Sequence, residues 1–221
     1  MSESAFPKLT EYTPPLGFLK VLREGAAFLC VEKPAGLLSV PGKEPHLSDC
    51  LEARVKARYP EALLIHRLDM DTSGVMVFAR TKAAQRDLGR QFERRDVSKT
   101  YAAVVDGVIA ADQGEIDLPI VTDWPNRPLQ KVCFAHGRPA KTRWQVRARA
   151  TSTTHLNLIP VTGRSHQLRL HMKEIGHPIC GDRFYGHGDG APRLMLHAVS
   201  LRFFDPNTRD PVDVVSTPSF F

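Results

Sequence analysis

Helical periodicity is confined to three short segments of this 221-residue chain; elsewhere the apolar residues form short runs that follow one another directly. Ser48 can cap the first helix, which reaches about Arg58 with Leu51 and Val55 one turn apart. Thr81 can cap the second, to about Arg95, with Ala84, Leu88 and Phe92 on one face. Ser165 can cap the third, to Ile175, with Leu168, Met172 and Ile175 inward and Gly176 as its stop. Before, between and after them lie strand-like runs at 26–33, 62–66, 74–79, 99–109, 142–150, 154–161 and 193–204. Consecutive strands without intervening helices predict an α+β fold around a mixed, largely antiparallel sheet, and not a doubly wound α/β fold.

The length suits one large domain or two small ones, and a hydrophobic fraction of 42% argues against disorder. The expected organisation is a peripheral arm at 1–16 and one catalytic domain at 17–221. No apolar run approaches about 18 residues, so no membrane span is expected. The N-terminal segment is polar and proline-punctuated, without a signal-peptide core, and the protein is expected to be cytoplasmic. Cys30, Cys50, Cys133 and Cys180 form no CxxC pair and read as packing residues. Lys and Arg exceed Asp and Glu by 30 − 24 = 6, which favours a polyanionic partner.

Lys82, Arg86, Arg90 and Arg94 recur every fourth residue opposite the apolar face of the second helix. Adjacent like charges on a helix cost a few tenths of a kcal/mol each, so a phosphate partner competes evenly there with simple solvation. The arginine face of 142–150 reads as a solvated sheet face. In "DWPNRPLQK" (123–131), Trp124 among prolines and basic residues could stack on an unpaired base, but the favoured expectation is a tryptophan folded back onto the core.

The densest chemistry is "HRLDMDTSG" (66–74) between two apolar runs. One reading makes Asp69 and Asp71 magnesium ligands, but the later acids Asp106, Asp112, Glu115 and Asp117 sit at no apolar strand end. P-loop, GxGxxG and HExxH patterns are lacking, and His166 and His171 are spaced onto different helix faces. No metal or cofactor is expected. The second reading is a carboxylate nucleophile or base with a guanidinium partner. Arg164 in "VTGRSHQLR" (161–169) is the candidate, although a plain surface arginine at a helix start is the commoner case.

"HRLDMDTSG" resembles the H-R-L-D-x-x-T-S-G signature of the RluA family of RNA pseudouridine synthases. "VEKPAGLLSVPG" (31–42), "SKTYAAVV" (98–105), "PVTGRSHQLRLHMKEIGHPICGD" (160–182) and "RLMLHA" (193–198) are similar to further segments of the family, in the same order. The resemblance implies the pseudouridine synthase fold. It also implies Asp69 as the catalytic carboxylate, Tyr101 as the active-site tyrosine and Arg164 as the partner of Asp69. Leu196 would wall the uridine pocket, Arg67 would fill the place of a flipped-out uridine, and His66 would shape the pocket or contact backbone. Thr72, Ser73 and Gly74 would shape the turn, and Asp71 would point away. Arg138 stands where the family usually has lysine. "DWPNRPLQK" and the lack of an S4-like RNA-binding domain resemble a branch acting on 23S rRNA and on tRNA anticodon stem-loops. A monomer is expected. A metal-dependent phosphatase and a non-catalytic RNA-binding module are the competing functions.

Overall fold

The structure, a computed structural model, describes residues 11–187 and 191–220. The expected arm therefore lies outside the described residues as far as position 10. In chain order the elements are β1 (Lys20–Glu24), β2 (Phe28–Lys33), α1 (Leu51–Arg58), β3 (Leu63–Leu64), β4 (Ser73–Ala79), α2 (Lys82–Arg94) and β5 (Ser98–Asp106). There follow β6 (Gln113–Asp117), β7 (Ile120–Thr122), β8 (Gln130–Val132), β9 (Lys141–Arg149), β10 (Thr153–Pro160), α3 (Gln167–Glu174), β11 (Leu196–Phe204) and β12 (Pro211–Val215). Three helices and many strands, mostly paired antiparallel, make the α+β class expected from the sequence. The chain forms two compact units, one of Tyr12–Tyr101 with the segment from His197 on, the other containing Ala102–Leu196.

In the first unit β4 is central. It pairs antiparallel with β2 and β3 and parallel with β11, which itself pairs antiparallel with β12. Every residue of β4 is buried, because both faces of the strand are covered. Val75, Val77 and Ala79 pack with Phe28 and Cys30 of β2 and with Ala84 and Leu88 of α2. Met76 and Phe78 pack on the other side with Leu29 and Val31 of β2 and Leu51 and Val55 of α1. The alternation of strand side chains thus serves two helices at once, which is why the run reads as continuously apolar.

The helix α2 starts as expected, with the Thr81 hydroxyl accepting the Ala84 N–H at 3.1 Å. The first helix departs from expectation. Its cap is Cys50, whose Sγ accepts the Ala53 N–H at 3.4 Å, because Ser48 is taken up by a 3-10 turn over Pro45–Leu47. The described end of the expected arm is tied to this unit: Tyr12 Oη donates to Asp49 O and accepts the Leu38 N–H, while Arg54 donates to Pro15 O.

In the second unit β9 pairs antiparallel with β10 and β6. Thr142 and Trp144 of β9 are buried while Arg143, Gln145 and Arg147 are exposed, as the alternation predicts. The basic face is answered by neighbours: Lys141 and Arg143 meet Glu115, and Arg149 meets Asp112. The helix α3 stops at Gly176, whose φ of 83° suits glycine. The ribbon β7–β8 was not foreseen. Three residue pairs hold it, Ile120↔Val132, Val121↔Lys131 and Thr122↔Gln130, too few for a periodicity to register. Among the described residues no helix is long and apolar enough to cross a membrane.

Candidate active site

The segment between β3 and β4 leaves the sheet after Leu64 and returns at Ser73, and its backbone is held almost residue by residue. His66 Nε2 accepts the Val77 N–H at 3.1 Å while its ring stacks on Phe92, with centroids 4.7 Å apart. Burial, with the nearby charge of Lys99, pushes this imidazole down to about 3, so it stays a neutral acceptor. The buried Ser39 hydroxyl takes both backbone groups of Leu68, donating to its carbonyl at 2.6 Å and accepting its N–H at 3.1 Å. Met70 O accepts from Lys33 Nζ at 2.7 Å and from the Gly36 N–H at 2.9 Å. Lys33 is fully buried and donates also to Pro34 O and Leu37 O, so one ammonium ties the "KPAGLL" segment to the loop.

Asp69 lies between these two clamped residues. Its carbonyl accepts the Thr72 N–H at 3.2 Å, closing a turn. Beyond the turn Ser73 and Gly74 pair with His197 and Ala198 of β11. Gly74 has φ 117°, and a Cβ there would lie 2.3 Å from Ala198 O, so only glycine permits the approach. Ser73 Oγ meets His197 Nδ1 at 2.8 Å, and His197 Nε2 meets Ser216 O at 3.1 Å. Ser216 in turn donates from its hydroxyl to Glu32. Burial works to raise the Glu32 carboxyl, but Ser216 and Lys20 hold it below the usual carboxylate range.

Tyr101, near the start of β5, packs against the cluster that contains Leu68 and Ala198. Burial first, and then the negative charge of Asp69, push its phenol above the ordinary tyrosine range. Tyr101 is therefore a protonated phenol lying within electrostatic reach of Asp69, and the acid that reaches it is Asp69. Asp69 and Asp71 are both half-buried, and Arg67 is exposed.

Arg164 belongs to the other unit. Its N–H donates to Gln167 Oε1 at 3.0 Å and its Nε to Pro139 O at 3.1 Å. The buried Gln167 also accepts from Thr162 Oγ1 and donates to Lys141 O and Thr142 Oγ1, so it braces the whole turn. The expected Ser165 cap is not formed. His166 stands at the N-cap in the left-handed region, φ 52°, without a side-chain cap bond, and Gln167 reaches back to take the Arg164 N–H instead. His166 Nδ1 meets Tyr185 Oη at 2.9 Å. His171 is buried, with its ring nitrogens on Thr142 Oγ1 and Leu118 O, and is a packing residue. Arg169 and Asp182 form a fully buried two-pronged ion pair at 2.8 and 2.7 Å. Leu196, the first residue of β11, is buried. Among the described residues no group of three or more His, Cys, Asp or Glu side chains is arranged to hold a metal.

One surface expectation is overturned. Trp124 does not fold back: it is 66% exposed, with the Arg127 guanidinium 4.7 Å over its ring. Its 3-10 turn, Trp124–Asn126, is closed on itself by Asp123 and turns the indole outward. On α2, Arg86, Arg90 and Arg94 are exposed, and none forms an ion pair among the described residues.

The profile of the RNA pseudouridylate synthase family matches residues 27–174, more than half of the chain. The chain belongs to this family. A dual-specificity RNA pseudouridine synthase RluA of Vibrio vulnificus is 49% identical over 209 residues, covering 90% of this chain and 84% of the relative. The RluA of Pasteurella multocida is 47% identical over 217 residues, covering 96% and 99% of the two chains. Among solved structures, human RNA pseudouridylate synthase domain containing 1 superposes with a TM-score of 0.78 at 29% identity, over 95% of this chain and 88% of that one. Human RNA pseudouridylate synthase domain containing 4 gives 0.74 at 26%, over 91% and 90%. For an RNA pseudouridine synthase, the bracing residues Lys33, Ser39, Gln167 and Tyr185 are those that sequence reasoning missed. Lys33, Ser39 and Gln167 lay inside the motifs already singled out, and a lysine in an apolar strand end was the available signal.

Proposed function

We propose that the protein isomerises a specific uridine to pseudouridine in stem-loops of 23S rRNA and of tRNA anticodon arms, as a cytoplasmic monomer, with residues 17–221 serving as the catalytic domain. The observation that carries the assignment of residues is the turn that holds Asp69, clamped on both sides through the backbone of Leu68 and Met70. The reaction breaks the N1–C1′ bond, turns the uracil and joins C5 to C1′. The C5 proton is lost and N1 gains one, so the product is an isomer and no oxidant or energy source is consumed.

In this reading ionised Asp69 acts at the nucleoside, as nucleophile or as base toward the sugar. Arg164 is proposed as the guanidinium partner of this carboxylate, a role carried by the motif it shares with the family. Tyr101 stacks on the uracil and, as a protonated phenol, is equipped for the proton transfer at C5. Arg67, exposed beside Asp69, occupies the gap left when the uridine leaves its stack. Leu196 forms an apolar wall under the base. His66 is proposed as a shaping residue, since its acceptor nitrogen is already committed to Val77.

The test is tritium release from RNA labelled at uridine C5. Asp69→Asn retains shape but supplies no carboxylate, and it should release no tritium while still binding RNA. Asp71→Asn should release tritium at close to the normal rate. Turnover by Asp69→Asn, or equal inactivity of the two variants, would refute the assignment.

A further inference from the structure

We infer that Trp124 and Arg127 at the tip of the β7–β8 ribbon form a preset stacking plate for an unpaired RNA base. The inference takes its partner, RNA, from the synthase reading above. A tryptophan left 66% exposed forgoes the burial its large apolar ring could have had in the core. This one does so while being held still. The Asp123 carboxylate accepts from Asn126 Nδ2 at 2.8 Å and from Lys131 Nζ at 3.0 Å, and these bonds keep it below the usual carboxylate range. The Asp123 N–H donates to Leu129 O, and the Leu129 N–H to Asn126 O. Pro125 and Pro128 stiffen the tip further. Where the tip joins β8, the Gln130 N–H donates to Tyr185 Oη at 2.8 Å.

The hydrogen bonds of the tip are formed without a ligand, which lowers the entropic cost of binding. Arg127 lies over the indole at 4.7 Å, and the ring is still 66% exposed. An indole backed by a guanidinium offers what a nucleobase takes: a flat apolar plate with positive charge behind it. Arg138 of the adjoining segment is exposed and has no ion pair among the described residues, which suits a phosphate chain. Every base has a π-face, so the plate distinguishes unpaired from paired bases and not one base from another. The same Tyr185 hydroxyl that receives Gln130 also meets His166, two residues after Arg164. Tyr185 is thus a positioning residue that joins the plate to the turn carrying Arg164.

The experiment uses the full chain carrying Asp69→Asn, so that binding is read without turnover. The probes are an anticodon stem-loop RNA and a blunt RNA duplex of equal length. Tryptophan emission is followed because Trp144 is buried and Trp124 is not. The stem-loop should quench the emission and the duplex should not. Trp124→Ala should bind the stem-loop about 10-fold more weakly and the duplex as before, Trp124→Phe should fall between, and Arg127→Ala should lose part of the affinity. Unaltered quenching and affinity in Trp124→Ala would overturn the plate. So would sedimentation showing that Trp124 drives self-association while RNA affinity is unchanged, since the surface would then meet a second copy. The synthase reading fails separately: no pseudouridine from the wild-type chain on the same stem-loop, with Trp124-dependent quenching present, removes the reaction and leaves the plate standing.

Discussion

The turn at 66–74 and the ribbon tip at 123–131 are both rigid, but they reach rigidity from opposite sides of the surface. Around Asp69 the bracing comes from buried groups of distant sequence: Lys33, Ser39 and, through Ser73, His197. Around Trp124 it comes from the tip's own residues, Asp123, Asn126 and Lys131, with the aromatic ring left outside. Chemistry at a carboxylate needs a fixed position to within a fraction of an ångström, and only a packed, hydrogen-bonded surround supplies it. Recognition of an unpaired base needs a plate and an open face, which local hydrogen bonds can hold without a core behind it.

Predictions follow from this contrast in order of size. Asp69→Asn should lower isomerisation by on the order of 10³-fold or more with RNA affinity retained; a filter-binding assay beside tritium release reads both. Lys33→Met strikes the buried scaffold. It strands the carbonyls of Pro34, Leu37 and Met70 and should cost on the order of 3 kcal/mol in urea unfolding. Equal stability would show that the scaffold around Asp69 does not depend on this ammonium.

His66 sharpens the same side through pH. Its pKa falls from 6.5 to about 3 on folding, so the unfolded chain binds the extra proton between these values. Its contribution is fully present above the unfolded value and is lost as pH falls through that window, with a slope of at most about 1.4 kcal/mol per pH unit. His66→Gln, which can still accept the Val77 N–H, should flatten the loss of stability between pH 6.5 and pH 4, measured as the difference from wild type. On the recognition side, Arg86, Arg90 and Arg94 changed together to Ala should reduce the slope of log affinity against log salt by about 2, at roughly 0.7 per single-strand phosphate contact. An unchanged slope would make the α2 stripe a solvated face. The smallest effect is expected from Tyr185→Phe, which keeps the ring and removes the hydroxyl shared by Gln130 and His166. Stability should fall by about 1 kcal/mol, while stem-loop affinity and turnover fall together and duplex binding is unaffected.

Much of this was legible residue by residue. Thr81 announced α2, and Ala84 and Leu88 its buried face. The apolar run at 74–79 announced a strand covered on both sides, and Gly176 the end of α3. Other features were illegible for identifiable reasons. The start of α1 moved to Cys50 because a 3-10 turn claimed Ser48. The start of α3 moved because Gln167 reached back to the Arg164 N–H from inside the helix. The outward face of Trp124 depended on hydrogen bonds among Asp123, Asn126 and Lys131, which carry no periodic signature.

The sequence by itself determined the α+β class, the helix α2 and the motifs in which Asp69, Tyr101 and Arg164 stand as proposed site residues, because hydrophobic period, helix punctuation and short motifs are properties of neighbours along the chain. Only the tertiary structure decided that Lys33 would spend its charge on three carbonyls, that Gly74 would be pressed against Ala198, and that Tyr101 would lie in the field of Asp69. Those are contacts between residues up to 124 positions apart, as at Ser73 and His197. A buried donor reveals its acceptor only once the chain has folded back and water, the alternative partner of both, has been excluded.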